Sequence, residues 1–145
     1  MRAVGVCGPF WLWMARQLLG FGIMSRARVI LGKTGEDLAC AELERRGYAI
    51  IARRYRRRGG ELDIVARDGP TLVFVEVKAR EGRAYGDGVE AVTAFKRRRI
   101  TRLALDYMVR HRLSDCPCRF DVVSIHLDSD ATVIELFQNA FDAAL

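Results

Sequence analysis

The chain has 145 residues, of which 50% are apolar and 29% charged, which suits one globular core and excludes a disordered chain. Its 24 lysines and arginines against 18 acidic residues leave a net charge of +6 and a pI near 9.5. A polyanion or anionic surface is therefore the natural partner. Cys7, Cys40, Cys116 and Cys118 lack the spacing of a disulfide framework and read as reduced thiols in a cytoplasmic protein. A zinc site on Cys116, Cys118 and His111 or His126 would lack the second cysteine pair that structural zinc sites commonly use.

Residues 1–24 read as an extension outside the core. Their apolar stretch is too short to span a membrane, is broken by Gly8-Pro9 and Arg16, and ends without a cleavage signal. A single domain is expected over 25–145, with no membrane partner. GKTGEDLACAELERR (32–46) reads as a helix stopped by Gly47. Its inward stripe holds Ala39, Cys40 and Leu43, and the spacing adds Glu36 to them. YAIIARRY (48–55) is a strand, followed by a basic loop over 56–60. Strands at 61–66 and 71–78 then flank the turn signal Arg67-Asp68-Gly69-Pro70. A polar, glycine-rich loop over 80–88 leads to a helix at roughly 90–112, with Val92, Ile100, Leu103, Tyr107 and Met108 on one face. Strands at 118–127 and 132–137 close the chain. The order α-β-β-β-α-β-β describes a mixed α/β or α+β layer fold, its sheet packed against helices.

Charges interrupt the hairpin where apolar residues are expected. Strand alternation puts Glu61, Asp63 and Val65 on one face of the first strand, opposite Leu62, Ile64 and Ala66. In the second, Leu72, Phe74, Glu76 and Lys78 share a face. Opposed carboxylates repel, and partial burial adds several kcal/mol for each uncompensated charge. Lys78 or a divalent cation would offset this, and Mg²⁺ prefers oxygen ligands. Only Lys33, Lys78 and Lys96 among the basic residues are lysines. Lysine, unlike arginine, can have its pKa lowered into a useful range. Lys96 sits on the inward stripe of the second helix. The basic residues Arg53, Arg54, Arg56, Arg57 and Arg58 around Tyr55, and Lys96, Arg97, Arg98, Arg99 and Arg102, are suited to a nucleic-acid backbone. The bland alternative is a salt-bridged, solvated hairpin face.

Several short motifs occur in order: Gly35-Glu36-Asp37-x-Ala39, Gly60-Glu61-Leu62-Asp63-Ile64-Val65, Phe74-Val75-Glu76-Val77-Lys78-Ala79-Arg80, Lys96-Arg97, Arg119-Phe120-Asp121-Val122-Val123 and Asn139-Ala140-Phe141. Together they resemble the YraN-type bacterial proteins of the UPF0102 family, over about residues 28–141. That family is similar to Holliday-junction resolvases and to the restriction-endonuclease-like fold with its PD-(D/E)-x-K site. The resemblance implies a mixed sheet flanked by helices, with Glu36, Asp63 and Glu76 on Mg²⁺ (or Mn²⁺) and Lys78 beside them. No proline precedes Asp63, a departure common in that fold. The implied activity is metal-dependent endonuclease cleavage of DNA, including branched DNA, and the junction-cleaving likeness implies a homodimer. Two other expectations stand beside it. One is a nucleic-acid-binding module without cleavage, serving a DNA repair or uptake assembly; the other is a partner-binding protein with a salt-bridged face.

Overall fold

A computed structural model of the chain describes residues 24–81, 92–128 and 130–145. The extension expected at 1–24, apart from Met24, and most of the glycine-rich loop lie outside these residues. Helix α1 (Met24–Arg45) begins earlier than the expected residue 32. No proline interrupts 24–32, and a glycine inside a helix costs about 1 kcal/mol without stopping it. The helix ends as its sequence indicates. Gly47, at φ +93°, donates to Glu44 O at 2.9 Å, and Tyr48 N donates to Leu43 O at 3.0 Å. Both bonds belong to a Schellman cap, and Tyr48 packs in the same buried cluster as Leu43.

Strands β1 (Ala49–Arg57), β2 (Gly60–Asp68) and β3 (Thr71–Glu81) form consecutive antiparallel hairpins. The expected basic loop is mostly strand: Arg56 and Arg57 face Glu61 and Gly60 across the ladder, leaving Arg58 and Gly59 as the turn. Helix α2 (Ala94–Arg110) then carries the chain across to β4 (Cys118–Leu127), which pairs parallel to β3. Thr93 caps α2 by accepting from Lys96 N at 3.2 Å. Strand β5 (Thr132–Phe141) completes a five-stranded sheet of order β1-β2-β3-β4-β5. This is the mixed sheet flanked by helices expected from the sequence. No helix among the described residues is long and apolar enough to cross a membrane.

The helices cover opposite faces. Ile100, Leu103, Tyr107 and Met108 of α2 pack on Val65, Leu72, Phe74 and Phe120, while Ala39 and Leu43 of α1 pack on Ile64, Val73, Val75 and Ile125. Close approach of α1 depends on Gly35, where an added Cβ would lie 2.8 Å from Ala79 Cβ. A second buried device holds β5. Asp121, fully buried, accepts from Arg119 Nε at 3.0 Å and from Asn139 N at 2.9 Å, where the β4–β5 register shifts and Asn139 adopts φ +49°. Arg119 also reaches Asp68 and the Tyr48 hydroxyl, each at 2.7 Å. These bonds give the Arg-Phe-Asp motif a structural role.

Candidate metal centre

The expected alternation along β2 fails at one place. Leu62 joins Val65 in the α2-side cluster, whereas Ile64 and Ala66 face α1. Leu62 and Val65 should lie on opposite faces of a regular strand, so β2 twists out of register around Asp63. The neighbouring strand matches the twist, since Arg54 of β1 stands at φ +52°. On the other side the β2–β3 ladder runs from Asp68↔Thr71 only as far as Ile64↔Val75. Beyond it, the Asp63 carboxylate accepts from Val77 N at 2.8 Å. A side chain thus takes the place of a ladder carbonyl, and its second oxygen is left for other chemistry.

Three carboxylates meet here. Ligand oxygens of Glu36, Glu61 and Asp63 lie within 4.8 Å of one another. Glu36 arrives from α1, one residue after the Gly35 contact that seats that helix on β3. Glu76, buried at 7% exposure, is close by in β3 and holds the Lys96 ammonium as an ion pair. Arg54 pairs with Glu36, and Arg56 with Glu61. Asp63 alone of the four has no cation within ion-pair distance among the described residues. Burial, then the charges of Glu76 and Glu36, raise its pKa from 3.8 to about 7, against the opposing pull of Val77 N–H and Lys96. Lys78, half-buried and in no ion pair among the described residues, has its pKa lowered by burial and then by the Lys96 charge. The Glu76 charge opposes that shift.

These donors fit a hard divalent cation. They are all carboxylate oxygens, crowded enough to hold one proton against ordinary acidity, and a +2 ion would relieve that repulsion. The structure brings Glu36 and Asp63 together as the sequence suggests. It puts Glu61, not Glu76, at the third corner, and it puts Lys96, not Lys78, on Glu76. Glu61 was passed over although strand alternation already puts it on the face of Asp63, two residues away, and that spacing is the signal that could have found it.

The sequence profile described as "Uncharacterised protein family UPF0102" matches residues 35–125, a span that starts at Gly35 and contains all these carboxylates. UPF0102 protein GSU0650 of Geobacter sulfurreducens is 55% identical over 116 residues, covering 79% of this chain and 91% of its own. A UPF0102 protein of Geobacter metallireducens is 49% identical over 121 residues, with coverage of 83% and 99%. UPF0102 protein STH1475 of Symbiobacterium thermophilum is 51% identical over 114 residues, with coverage of 78% and 97%. The chain belongs to the UPF0102 family.

The basic residues of this UPF0102 domain divide by what they touch. Arg53 pairs with Asp37 at 2.5 Å and lies 3.9 Å from Glu36. With Arg54 and Arg56 also on carboxylates, much of the first basic run is engaged inside the fold. Arg57 bonds the Tyr55 hydroxyl at 2.9 Å and lies 3.3 Å from Asp106. Tyr55 is itself half-buried, bonded to Asp106 at 2.6 Å and edge-on to Tyr107, which is the packed strand tyrosine rather than a base-stacking one. Arg97 donates to Val92 O at 2.9 Å and lies over the Phe141 ring. Arg58, Arg98, Arg99 and Arg102 stand outside these networks, around a groove between α2 and the β1–β2 turn.

Proposed function

We propose that this UPF0102 chain is a metal-dependent endonuclease that hydrolyses phosphodiester bonds in DNA, branched DNA included. The observation that carries the reading is Asp63, set where the β2–β3 ladder opens, among other carboxylates and without a cation of its own. Asp63, Glu36 and Glu61 would hold Mg²⁺ or Mn²⁺, and Glu76 would join them by exchanging its Lys96 partner. A divalent cation at such a site supplies charge neutralisation at the scissile phosphate and acidifies water. Lys78, with its lowered pKa, orients the attacking water and takes part in its deprotonation. Lys96, once released from Glu76, and the free arginines hold the phosphates on either side. A homodimer would present two such centres to the two strands of a junction.

The test is cleavage of linear, flap and four-way DNA with Mg²⁺ or Mn²⁺. Strand scission by wild type, lost in Glu76→Ala and Lys78→Ala, is the expected result. Inactivity of wild type on every substrate, or full activity in both variants, would refute the reading. A second reading is a nucleic-acid-binding module without cleavage. The ion pairs of Lys96 with Glu76, Arg54 with Glu36 and Arg56 with Glu61 favour it, because they neutralise three of the four carboxylates without metal. It requires salt-dependent DNA binding that Asp63→Ala leaves unaltered.

A further inference from the structure

Two basic runs some forty residues apart in the chain converge on one groove. Convergence depends on the β1–β2 turn. Gly60 has φ +133°, and the Arg99 side chain crosses it so closely that an added Cβ would lie 3.1 Å from Arg99 Nε. A Cβ added at Gly59 would meet Leu103 Cδ2 at an ordinary contact distance of 4.0 Å. The groove so formed has a volume of about 630 Å³, and its lining includes Arg57, Arg58, Phe95, Arg98, Arg99 and Arg102. Asp106 also borders it, but Tyr55, Arg57 and Arg110 already engage that carboxylate. Arg58, Arg98, Arg99 and Arg102 pair with no carboxylate among the described residues. All of the cations around the groove are arginines, whose planar forks match phosphate oxygens.

Phe95 stands among them, 70% exposed. A lone exposed phenylalanine needs no explanation, but one ringed by arginines offers a face for stacking beside a track for phosphates. That pairing is how strands with unpaired bases are bound, and a duplex, its base faces hidden, gains nothing from the ring. A bilayer would require a wider apolar face than one aromatic residue. The groove also adjoins the metal centre along the chain, since Gly60 precedes Glu61.

We infer that this groove docks an unpaired polynucleotide strand, its phosphates on Arg58, Arg98, Arg99 and Arg102 and a base on Phe95. The inference deepens the proposed function and rests on it for the strand's fate: the substrate class is nucleic acid with a single-stranded arm next to the bond that is cut.

Fluorescence anisotropy in EDTA tests the dock without cleavage, using fluorescein-labelled oligothymidylate, oligouridylate and a blunt DNA duplex of equal length. Wild type is expected to hold oligothymidylate more tightly than the duplex. Phe95→Ala should weaken that affinity about tenfold, leaving duplex affinity and the salt dependence unchanged. Arg98→Ala with Arg102→Ala should weaken both ligands and flatten the dependence of log K on log salt by about 1.4 for the single strand. Equal affinity for oligouridylate supports a dock that reads stacking and not the sugar. No effect of Phe95→Ala, an equal loss on the duplex, or tighter binding to phosphatidylglycerol vesicles would overturn the inference. Strand binding by a wild type that cuts nothing in Mn²⁺ would remove the nuclease reading and keep the dock. Cleavage of a substrate with a single-stranded arm that is indifferent to Phe95→Ala would do the reverse.

Discussion

Asp63 accepts a hydrogen bond from the backbone of Val77, at 2.8 Å, just past the last paired residues of the β2–β3 ladder. One carboxylate oxygen thereby satisfies an amide that the opened sheet would otherwise orphan. The same carboxylate lies within 4.8 Å of ligand oxygens of Glu36 and Glu61. The same side chain thus closes the sheet and opens the site.

That double duty has a cost in stability. Folded Asp63 keeps its proton to about pH 7, while the unfolded chain releases it near 3.8. Between those values the folded state binds more protons, so metal-free stability falls as pH rises from about 4 to about 7. Asp63→Asn keeps an oxygen for Val77 N–H and removes the charge. Without metal at about pH 8 it should be more stable than wild type by roughly 2–4 kcal/mol of unfolding free energy, and should melt at a higher temperature. At about pH 4 the two should melt alike. Thermal melts in EDTA at both pH values provide the check, and a variant less stable at pH 8 would contradict the assignment.

Gly35 sets the height of α1 over β3. Gly35→Ala gains about 1 kcal/mol in helix propensity, yet its methyl would lie 2.8 Å from Ala79 Cβ. Overpacking of this kind typically costs about 1–3 kcal/mol, so the net effect expected is destabilising. Combining it with Ala79→Gly should recover part of the loss, and chemical denaturation of the single and double variants measures this.

Lys78 is half-buried and makes no ion pair among the described residues, so its removal should leave the fold intact. Lys78→Met is expected to melt within a degree or two of wild type, a change on the order of 0.5 kcal/mol. Single-turnover cleavage should fall by about 10²–10⁴-fold, as for a positioned acid–base group. A similar loss of stability and activity would make Lys78 structural instead.

Asp121 carries the opposite expectation. It sits fully buried with Arg119 and the Asn139 amide on its oxygens. Asp121→Ala leaves Arg119 with only Asp68 as its carboxylate partner and leaves the Asn139 amide without its acceptor, a loss of about 1–3 kcal/mol. Urea denaturation should show it, with metal affinity per folded molecule unchanged.

Most of the elements could be read from the sequence because their apolar residues follow the helix or strand period. The missed ends have specific causes. Arg56 and Arg57 read as loop because an edge hairpin exposes its charges, and nothing in their identity announces the Glu61 and Gly60 opposite. β5 runs on to Phe141 past a bulge held by the distant Asp121 and Tyr48. In the site, Glu36, Asp63, Glu76 and Lys78 were legible as charges on core-facing positions. Their partners were not. Which cation meets Glu76 depends on how α2 packs on the sheet, and no local pattern encodes that pairing.

The carboxylates around Asp63 are expected to bind a divalent cation. Calorimetric titration of Mn²⁺ into wild type and Asp63→Asn near pH 6.5, in buffers of different ionisation enthalpy, tests it directly. Saturable binding that releases protons in wild type and is lost in Asp63→Asn is the expected result. Absence of binding to wild type, or equal binding by both proteins, would contradict it.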